Sequence, residues 1–296
     1  MRSPTLKLIL KSYMAELTLL PRWGKFKIRL KAIRDMLAPA FSIGLFSIIF
    51  NVSAYADPRP VTIFAAASLT TVLSEIAETA VEAGLPRCRC VFASSSSLAR
   101  QISDGAPSDI FISANRHWVN EVVSEGVMDG ETEQIIASNR LVLVRHVDRP
   151  LKLLPGRWSM LPKSLDKGWL AMADPDHVPA GIYGAAALRT LGLWDRLVTK
   201  IARAPNVRAA LALVARGEAA AGIVYQSDIS ISDQVRRVAI FPDDTHPSIE
   251  YAAVVSTESK WGTIESYFAF LMSSEAQAHF ALHGFTWVFF IQWFLV

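Results

Sequence analysis

The chain has 296 residues, of which 51% are hydrophobic and 19% are charged. This length corresponds to about two domains of roughly 150 residues each. The composition excludes a disordered polyelectrolyte, and 15 Gly, 15 Pro and two Cys are too few for a collagen-like repeat or a disulfide scaffold.

The net charge of +3 is unevenly distributed along the chain. Residues 1–56 hold nine of the 30 basic and two of the 27 acidic residues, which leaves 21 basic and 25 acidic residues in 57–296. The larger part is therefore mildly acidic and lacks the basic patch typical of nucleic-acid binding. We expect no nucleic-acid partner.

The first 56 residues have the pattern of a cleaved export signal. A basic stretch (25–34) precedes an uncharged apolar run (38–50), and the small-x-small sequence Ser53-Ala54-Tyr55-Ala56 follows. We predict cleavage after Ala56. The alternative is a membrane anchor, which the run disfavours because it is shorter than the roughly 20 residues that a spanning helix needs.

Strand and helix patterns alternate along the rest of the chain. Strands are predicted at 61–67, 90–93, 109–113, 141–144, 169–173, 221–225, 238–241 and 249–255. Helices are predicted at 69–83, 98–104, 115–125, 182–191, 207–215, 262–273 and 275–283. The alternation predicts an α/β fold with largely parallel sheets, and the two groups of elements predict two lobes.

Four turns that lead into predicted helices are rich in small residues. They are Ala65-Ala66-Ala67-Ser68, Ala93-Ser94-Ser95-Ser96-Ser97, Pro179-Ala180-Gly181 and Pro205-Asn206-Val207. The first N–H groups of a helix have no intrahelical acceptor, and the helix dipole there favours negative charge. In an open α/β sheet such turns meet at the carboxyl edge of the strands, where ligands bind. The pattern predicts an anion site, although a single Ser at a helix start is usually only an N-cap.

Motifs of enzymes and metal sites are absent from the sequence. There is no G-x-S-x-G, P-loop or G-x-G-x-x-G motif, and the six histidines do not have metal-ligand spacing. Asp174-Pro175-Asp176-His177 has the composition of a turn. Cys88 and Cys90 are interpreted as incidental thiols, since a disulfide between them would be near the upper limit of Cα separation.

Several segments together resemble a known family. They are FAAASLTTVLSEIA (64–77), FASSSSLARQISDGAPSDIFISA (92–114), MADPDHVPAGIYGAAALRTLGLWD (172–195), NVRAALALVARGEAAAGIVYQSD (206–228) and FPDDTHPSIEYAAVV (241–255). These segments resemble the periplasmic molybdate-binding proteins of ABC-type molybdate importers, and the resemblance covers about residues 59–286.

The resemblance implies the fold of a two-lobed periplasmic binding protein, type II-like, with the ligand in the cleft between the lobes. The first lobe is expected at 57–139 plus 240–286, and the second at 140–239. The chain departs from the family in an apolar tail at 287–296, because family members end soon after the equivalent of Thr286.

The resemblance also implies the function: a periplasmic, monomeric protein without enzyme activity or cofactor. It would capture molybdate, and tungstate as well, and deliver it to the membrane permease of an ABC importer. The implied ligand contacts are Ser68, Ser95, Ala180, Val207 and Tyr225. Molybdenum would be held as its oxyanion by these residues, with no direct protein ligand to the metal.

Other interpretations remain. The chain can be a receptor for another oxyanion, such as sulfate or phosphate. It can also be an exported hydrolase with Ser68 or Ser95 as nucleophile, which needs a histidine within hydrogen-bond reach. A third possibility is a membrane-anchored scaffold held by an uncleaved N-terminus and the apolar tail.

Overall fold

The computed structural model describes residues 60–154, 156–259 and 262–286. The export signal predicted at 1–56 and the apolar tail at 287–296 lie outside these described residues. Within the described ranges, no helix is both long enough and apolar enough to cross a membrane.

The described residues form two five-stranded sheets with helices packed against them. The strands are β1 (Val61–Ala66), β2 (Cys88–Ala93), β3 (Ile110–Ser113), β4 (Met128–Asn139), β5 (Leu141–His146), β6 (Leu170–Ala173), β7 (Ile201–Ala204), β8 (Ala221–Tyr225), β9 (Val235–Ile240) and β10 (Ile249–Ser256). The α-helices are α1 (Thr70–Glu82), α2 (Ser95–Ser103), α3 (Arg116–Ser124), α4 (Leu161–Ser164), α5 (Pro179–Thr190), α6 (Trp194–Leu197), α7 (Val207–Ala215), α8 (Thr263–Leu271) and α9 (Ser274–Leu282).

The first sheet has the strand order β2-β1-β3-β10-β4 and the second has β7-β6-β8-β5-β9. We call each sheet with its helices a lobe. The prediction of largely parallel sheets is wrong in part, because each sheet combines two parallel with two antiparallel pairings. The antiparallel strands lie where the chain passes between the lobes, and no crossover helix joins β4 to β5.

Helices cover the first sheet on both faces, and β1 shows how the sequence achieves this. Ile63 and Phe64 are neighbours in the strand, so their side chains point to opposite faces. Ile63 belongs to the large apolar cluster that also includes Leu143 and Ile223 of the second lobe, whereas Phe64 packs in a separate cluster with Leu98. A strand that is buried on both faces is apolar without alternation, as its sequence VTIFAA is.

The predicted site residues lie at the carboxyl ends of the parallel strands. Ser68 and Ser95 follow β1 and β2, which are parallel neighbours in the first sheet. Val207 follows β7, and Tyr225 is the last residue of β8. Because β6 lies between β7 and β8 and is parallel to both, these ends share one edge of the second sheet.

Cys88 and Cys90 lie on the edge strand β2 as free, half-buried thiols. Their Sγ atoms are 3.6 Å apart, as expected for residues i and i+2 on one face of a strand. A hydrogen bond from Cys90 lowers the pKa of the Cys88 thiol to about 7.

Candidate functional site

A small cavity lies between the two lobes, with a volume of about 10 Å³. Its lining residues are Ala66, Ala67, Ser68, Ser94, Ser95, Ala114, Val178, Pro179, Ala180, Asn206, Val207 and Tyr225. The five residues named from the sequence are all among them, and they come from both lobes. The volume is comparable to the space for one water molecule, on the order of 10–15 Å³, so the cavity suits a compact ligand rather than a drug-sized one.

Helix starts supply backbone donors to this cavity. Ser95 and Val207 are the first residues of α2 and α7, and Ala180 is the second residue of α5. Pro179 occupies the first position of α5, where its missing N–H costs no hydrogen bond. Ser68 lies in the single 3-10 turn Ala67–Leu69 directly before α1. N–H groups at these positions have no intrahelical acceptor and are available to an anion.

The caps of two of these helices satisfy N–H groups further inside the helix. The Ser97 N–H donates to Ser94 Oγ at 3.2 Å, and the Ala209 N–H donates to Asn206 Oδ1 at 3.0 Å. The capping oxygens therefore leave the first N–H of each helix free for a ligand. Within the serine run, Ser94 is therefore the N-cap and Ser95 is the first residue of the helix.

The Ser95 hydroxyl is oriented by a backbone amide. Its Oγ accepts a hydrogen bond from the Ala114 N–H at 3.0 Å, and the residue is buried. This contact uses one lone pair of the hydroxyl oxygen and leaves the hydroxyl hydrogen free to donate to a ligand.

The Ser68 hydroxyl is oriented by a chain of buried side chains. Asn139 Nδ2 donates to the Tyr251 hydroxyl at 3.3 Å, and that hydroxyl lies 2.9 Å from Ser68 Oγ. The Arg140 N–H donates to Asn139 Oδ1 at 2.9 Å, which fixes the orientation of the amide. Either hydroxyl of the Tyr251–Ser68 pair can donate in this contact. When Tyr251 donates to Ser68, the Ser68 hydrogen is free to face an acceptor in the cavity.

Tyr225 contributes a hydroxyl that has no hydrogen-bond partner among the described residues. The side chain is 1% exposed, and burial raises its pKa well above the ordinary value. The phenol is therefore a permanent donor at neutral pH. Leaving a buried hydroxyl unpaired costs about 1–3 kcal/mol, so this group points to an acceptor that a ligand would supply.

No charged side chain is among the residues that line the cavity. Two charged residues, Arg208 and Asp228, contact lining residues from outside the cavity, and sequence reasoning did not identify them. Asp228 is fully buried and accepts the Tyr225 N–H at Oδ2 over 3.0 Å, while its Oδ1 lies 2.7 Å from Arg208 Nε. Burial raises the pKa of Asp228 to about 6, and the neighbouring Arg208 opposes that rise.

The acidic turn Asp174-Pro175-Asp176-His177 lies outside the cavity lining. The Asp176 N–H donates to Asp174 Oδ1 at 2.9 Å, which closes a local turn. Arg203 pairs with both carboxylates where they are partly exposed. These residues therefore form a hydrogen-bonded turn, as the sequence indicated.

A family model described as bacterial extracellular solute-binding protein matches residues 61–286. The chain belongs to this family. Within it, the chain is 43% identical over 239 residues to the molybdate-binding protein ModA of Escherichia coli K12, a match that covers 79% of this chain and 91% of that protein.

Solved structures of solute-binding proteins share the fold. One, described as the substrate-binding domain of a molybdenum ABC transporter from Clostridium difficile, is 31% identical with a TM-score of 0.61 and covers 78% of this chain and 99% of that one. The periplasmic molybdate-binding protein of Azotobacter vinelandii is 21% identical with a TM-score of 0.69 and covers 77% and 100%. The prediction of a two-lobed α/β binding-protein fold is confirmed, as is the family resemblance.

Proposed function

We propose that this solute-binding protein captures molybdate and delivers it to the permease of an ABC importer. The observation that carries the proposal is the convergence of neutral donors from both lobes on one small cavity. Its support is the 43% identity to a molybdate-binding protein over most of both chains. The proposed ligand residues are Ser68, Ser95, Ala180, Val207 and Tyr225.

The chemistry of these donors fits a tetrahedral dianion. Hydroxyl and N–H dipoles at fixed positions replace the hydration shell of the ion without a flexible counter-charge. The oxygens of the ion accept these hydrogen bonds, and the metal itself touches no protein atom. Since sulfate, tungstate and molybdate have the same charge, selection among them rests on cavity size and on the number and position of donors.

Because the cavity lies between the lobes, a bound ligand changes the balance between their open and closed arrangements. Ser68 and Ser95 belong to the first lobe, and Val207 and Tyr225 belong to the second. An ion bound to both lobes stabilises the closed arrangement by its differential affinity for that state. We propose that the permease recognises this closed form.

Further parts of the proposal concern the chain as a whole. We propose a periplasmic monomer released by cleavage after Ala56, with lobe boundaries at 57–139 plus 240–286 and at 140–239. Tungstate is proposed as a second ligand on the ground that its charge and shape match those of molybdate.

The hydrolase alternative lacks a general base in the cavity. The lining residues include no His, Asp or Glu, so neither Ser68 nor Ser95 has a proton acceptor of the usual kind there. A phosphate receptor would need an acceptor for a protonated ion, and the same lining offers no carboxylate.

Calorimetric titration of the purified protein with molybdate, tungstate, sulfate and phosphate tests the proposal. We expect one saturable site for molybdate and for tungstate, and much weaker binding of sulfate and phosphate. Sulfate binding equal to that of molybdate would replace the molybdate assignment with a general oxyanion receptor. No heat or saturation with any of the four ions would refute the oxyanion site.

A further inference from the structure

Arg208 occupies a position that helix electrostatics disfavours. It is the second residue of α7, and the helix begins at the cavity. The N-terminus of a helix carries partial positive charge, so a cation in the first turn is unfavourable. No acidic residue in that turn offsets it. An unfavourable charge at a helix start is expected to be offset by a favourable contact elsewhere in the fold.

The compensating contacts of Arg208 reach into both lobes. In its own lobe, Nε lies 2.7 Å from Asp228 Oδ1 in an ion pair that is not a linear hydrogen bond. Across to the first lobe, Nη2 donates to the Ser68 carbonyl at 2.7 Å, and Nη1 lies 3.4 Å from Thr71 Oγ1. One guanidinium therefore bridges a buried carboxylate of the second lobe and the backbone of the first.

Both ends of this bridge contact residues of the proposed ligand site. The Ser68 carbonyl that Arg208 holds is part of the same residue whose hydroxyl lines the cavity. At the other end, Asp228 Oδ2 accepts the backbone N–H of Tyr225, the residue with the unpaired buried hydroxyl. Arg208 itself is not among the residues that line the cavity. It therefore touches the neighbours of the ligand without touching the ligand.

We propose that Arg208, held by Asp228, is a positioning residue that fastens the lobes in the ligand-holding arrangement and sets Ser68 opposite Tyr225. This inference rests on the proposed function. The contact between Arg208 and Ser68 exists only when the lobes are together, so its free energy favours the closed state over the open one. A contact made only in the closed state slows the release of the ion and leaves its entry little affected.

Further hydrogen bonds also cross between the lobes. The Trp118 indole donates to the His177 carbonyl at 3.0 Å, and the Tyr183 hydroxyl donates to the Ala114 carbonyl at 3.4 Å. Neither involves a charged donor, and hydrogen bonds to charged groups are the stronger kind. We therefore expect the loss of Arg208 to weaken closure even though these contacts remain.

Stopped-flow kinetics of molybdate binding test the inference, with Arg208→Met as the main variant. We expect its dissociation rate constant to rise roughly 10- to 150-fold, the range of one hydrogen bond to a charged group, while the association rate constant changes less than about threefold. Arg208→Lys should lie between, because an ammonium cannot reproduce a planar fork of donors. Arg216→Met is the matched control, since Arg216 lies at the other end of α7 and pairs with Glu218 on the surface.

Loss of Arg208 leaves the buried carboxylate of Asp228 without its partner, which by itself destabilises a fold. The double variant Arg208→Met/Asp228→Asn removes both charges, and an Asn oxygen can still accept the Tyr225 N–H. We expect this variant to regain the wild-type melting temperature without ligand and to keep the fast dissociation. Small-angle X-ray scattering with saturating molybdate should show it less compact than the wild type.

The outcomes separate this inference from the function on which it rests. If the wild type does not bind molybdate, the proposed function fails. If the wild type binds and all Arg208 variants release molybdate at the wild-type rate, the function stands and the role of Arg208 is refuted. A uniform fall of the association rate constant with unchanged dissociation would also refute it, because that result indicates long-range attraction of the anion rather than closure.

Discussion

At the scale of single residues, substitution of the hydroxyl donors tests the site most directly. Ser68→Ala and Tyr225→Phe each remove one donor and keep the shape of the side chain. A hydrogen bond to a charged ligand contributes about 1.5–3 kcal/mol, so each variant should bind molybdate roughly 10- to 150-fold more weakly. Binding should persist in both, because the backbone donors remain. Calorimetric titration measures the effect.

The control for these variants is Asp176→Asn. The Asp176 side chain is 69% exposed and pairs with Arg203 away from the cavity. We expect near-normal affinity. Loss of binding in Asp176→Asn together with intact binding in Ser68→Ala would show that a carboxylate builds the site.

The dependence of affinity on pH follows from the protonation of Tyr225. Burial raises its pKa well above the ordinary value of 10.0, so the phenol keeps its proton as the pH rises. Asp228, with a pKa of about 6, is mainly ionised from pH 7 to 9. We therefore expect the molybdate dissociation constant to stay constant within about twofold from pH 7 to 9. A tenfold loss of affinity across that range would mean that a titrating group carries the binding.

The small residues of the four turns could be named from the sequence and Tyr225 from the family resemblance, whereas the residues that orient them could not. Ser95 and Val207 are visible because a helix start is a local pattern with a known electrostatic consequence. Tyr251 and Arg208 are not visible, because their partner Ser68 lies 183 and 140 residues away along the chain. No local pattern specifies a contact at such separation.

At the scale of elements, Gly181 fixes how closely the start of α5 approaches the end of β6. A Cβ at this position would lie 2.3 Å from the carbonyl oxygens of both Ala173 and Asp174. Gly181→Ala therefore has to displace the helix start that carries Ala180. We expect a loss of roughly 1–3 kcal/mol in the free energy of unfolding, the usual cost of overpacking, together with weaker molybdate binding.

Gly184→Ala is the matched control on the same helix. Its Cβ would meet Met172 Cε at 2.7 Å and Ile223 Cγ2 at 3.2 Å, which are both side-chain methyls rather than backbone atoms, and the Met172 side chain is flexible. We expect molybdate affinity within about twofold of the wild type. Thermal unfolding and calorimetry of the two variants compare stability with binding. Equal binding in both variants would show that the position of the α5 start does not matter to the ligand.

Elements with a clear period were predicted well, and those without one were missed. The prediction at 207–215 coincides with α7, because its apolar residues recur at helical spacing. The twelve-residue strand β4 was not predicted, since in its sequence MDGETEQIIASN the polar run DGETEQ follows Met128 and no alternation is sustained. The antiparallel placement of β10 was also missed, because strand order is set by tertiary packing rather than by local sequence.

At the scale of the whole molecule, ligand binding should appear as added stability. A ligand that binds only the folded state contributes about 2.7 kcal/mol at a concentration of 100 times its dissociation constant. We expect molybdate and tungstate to raise the melting temperature, and sulfate and phosphate at equal concentration to leave it unchanged. Differential scanning calorimetry makes the comparison. Equal stabilisation by sulfate would contradict selectivity for molybdate.

The central claim is that an oxyanion is held between the lobes by neutral donors from both of them. A crystal structure of the protein with molybdate tests it most directly, because the anomalous scattering of molybdenum locates the ion. We predict a single strong anomalous peak in the cavity, with the oxygens of the ion within hydrogen-bond distance of Ser68, Ser95 and Tyr225 and of the backbone N–H groups of Ala180 and Val207. A peak elsewhere, or an ion held by Arg, Lys or His side chains, would contradict the account.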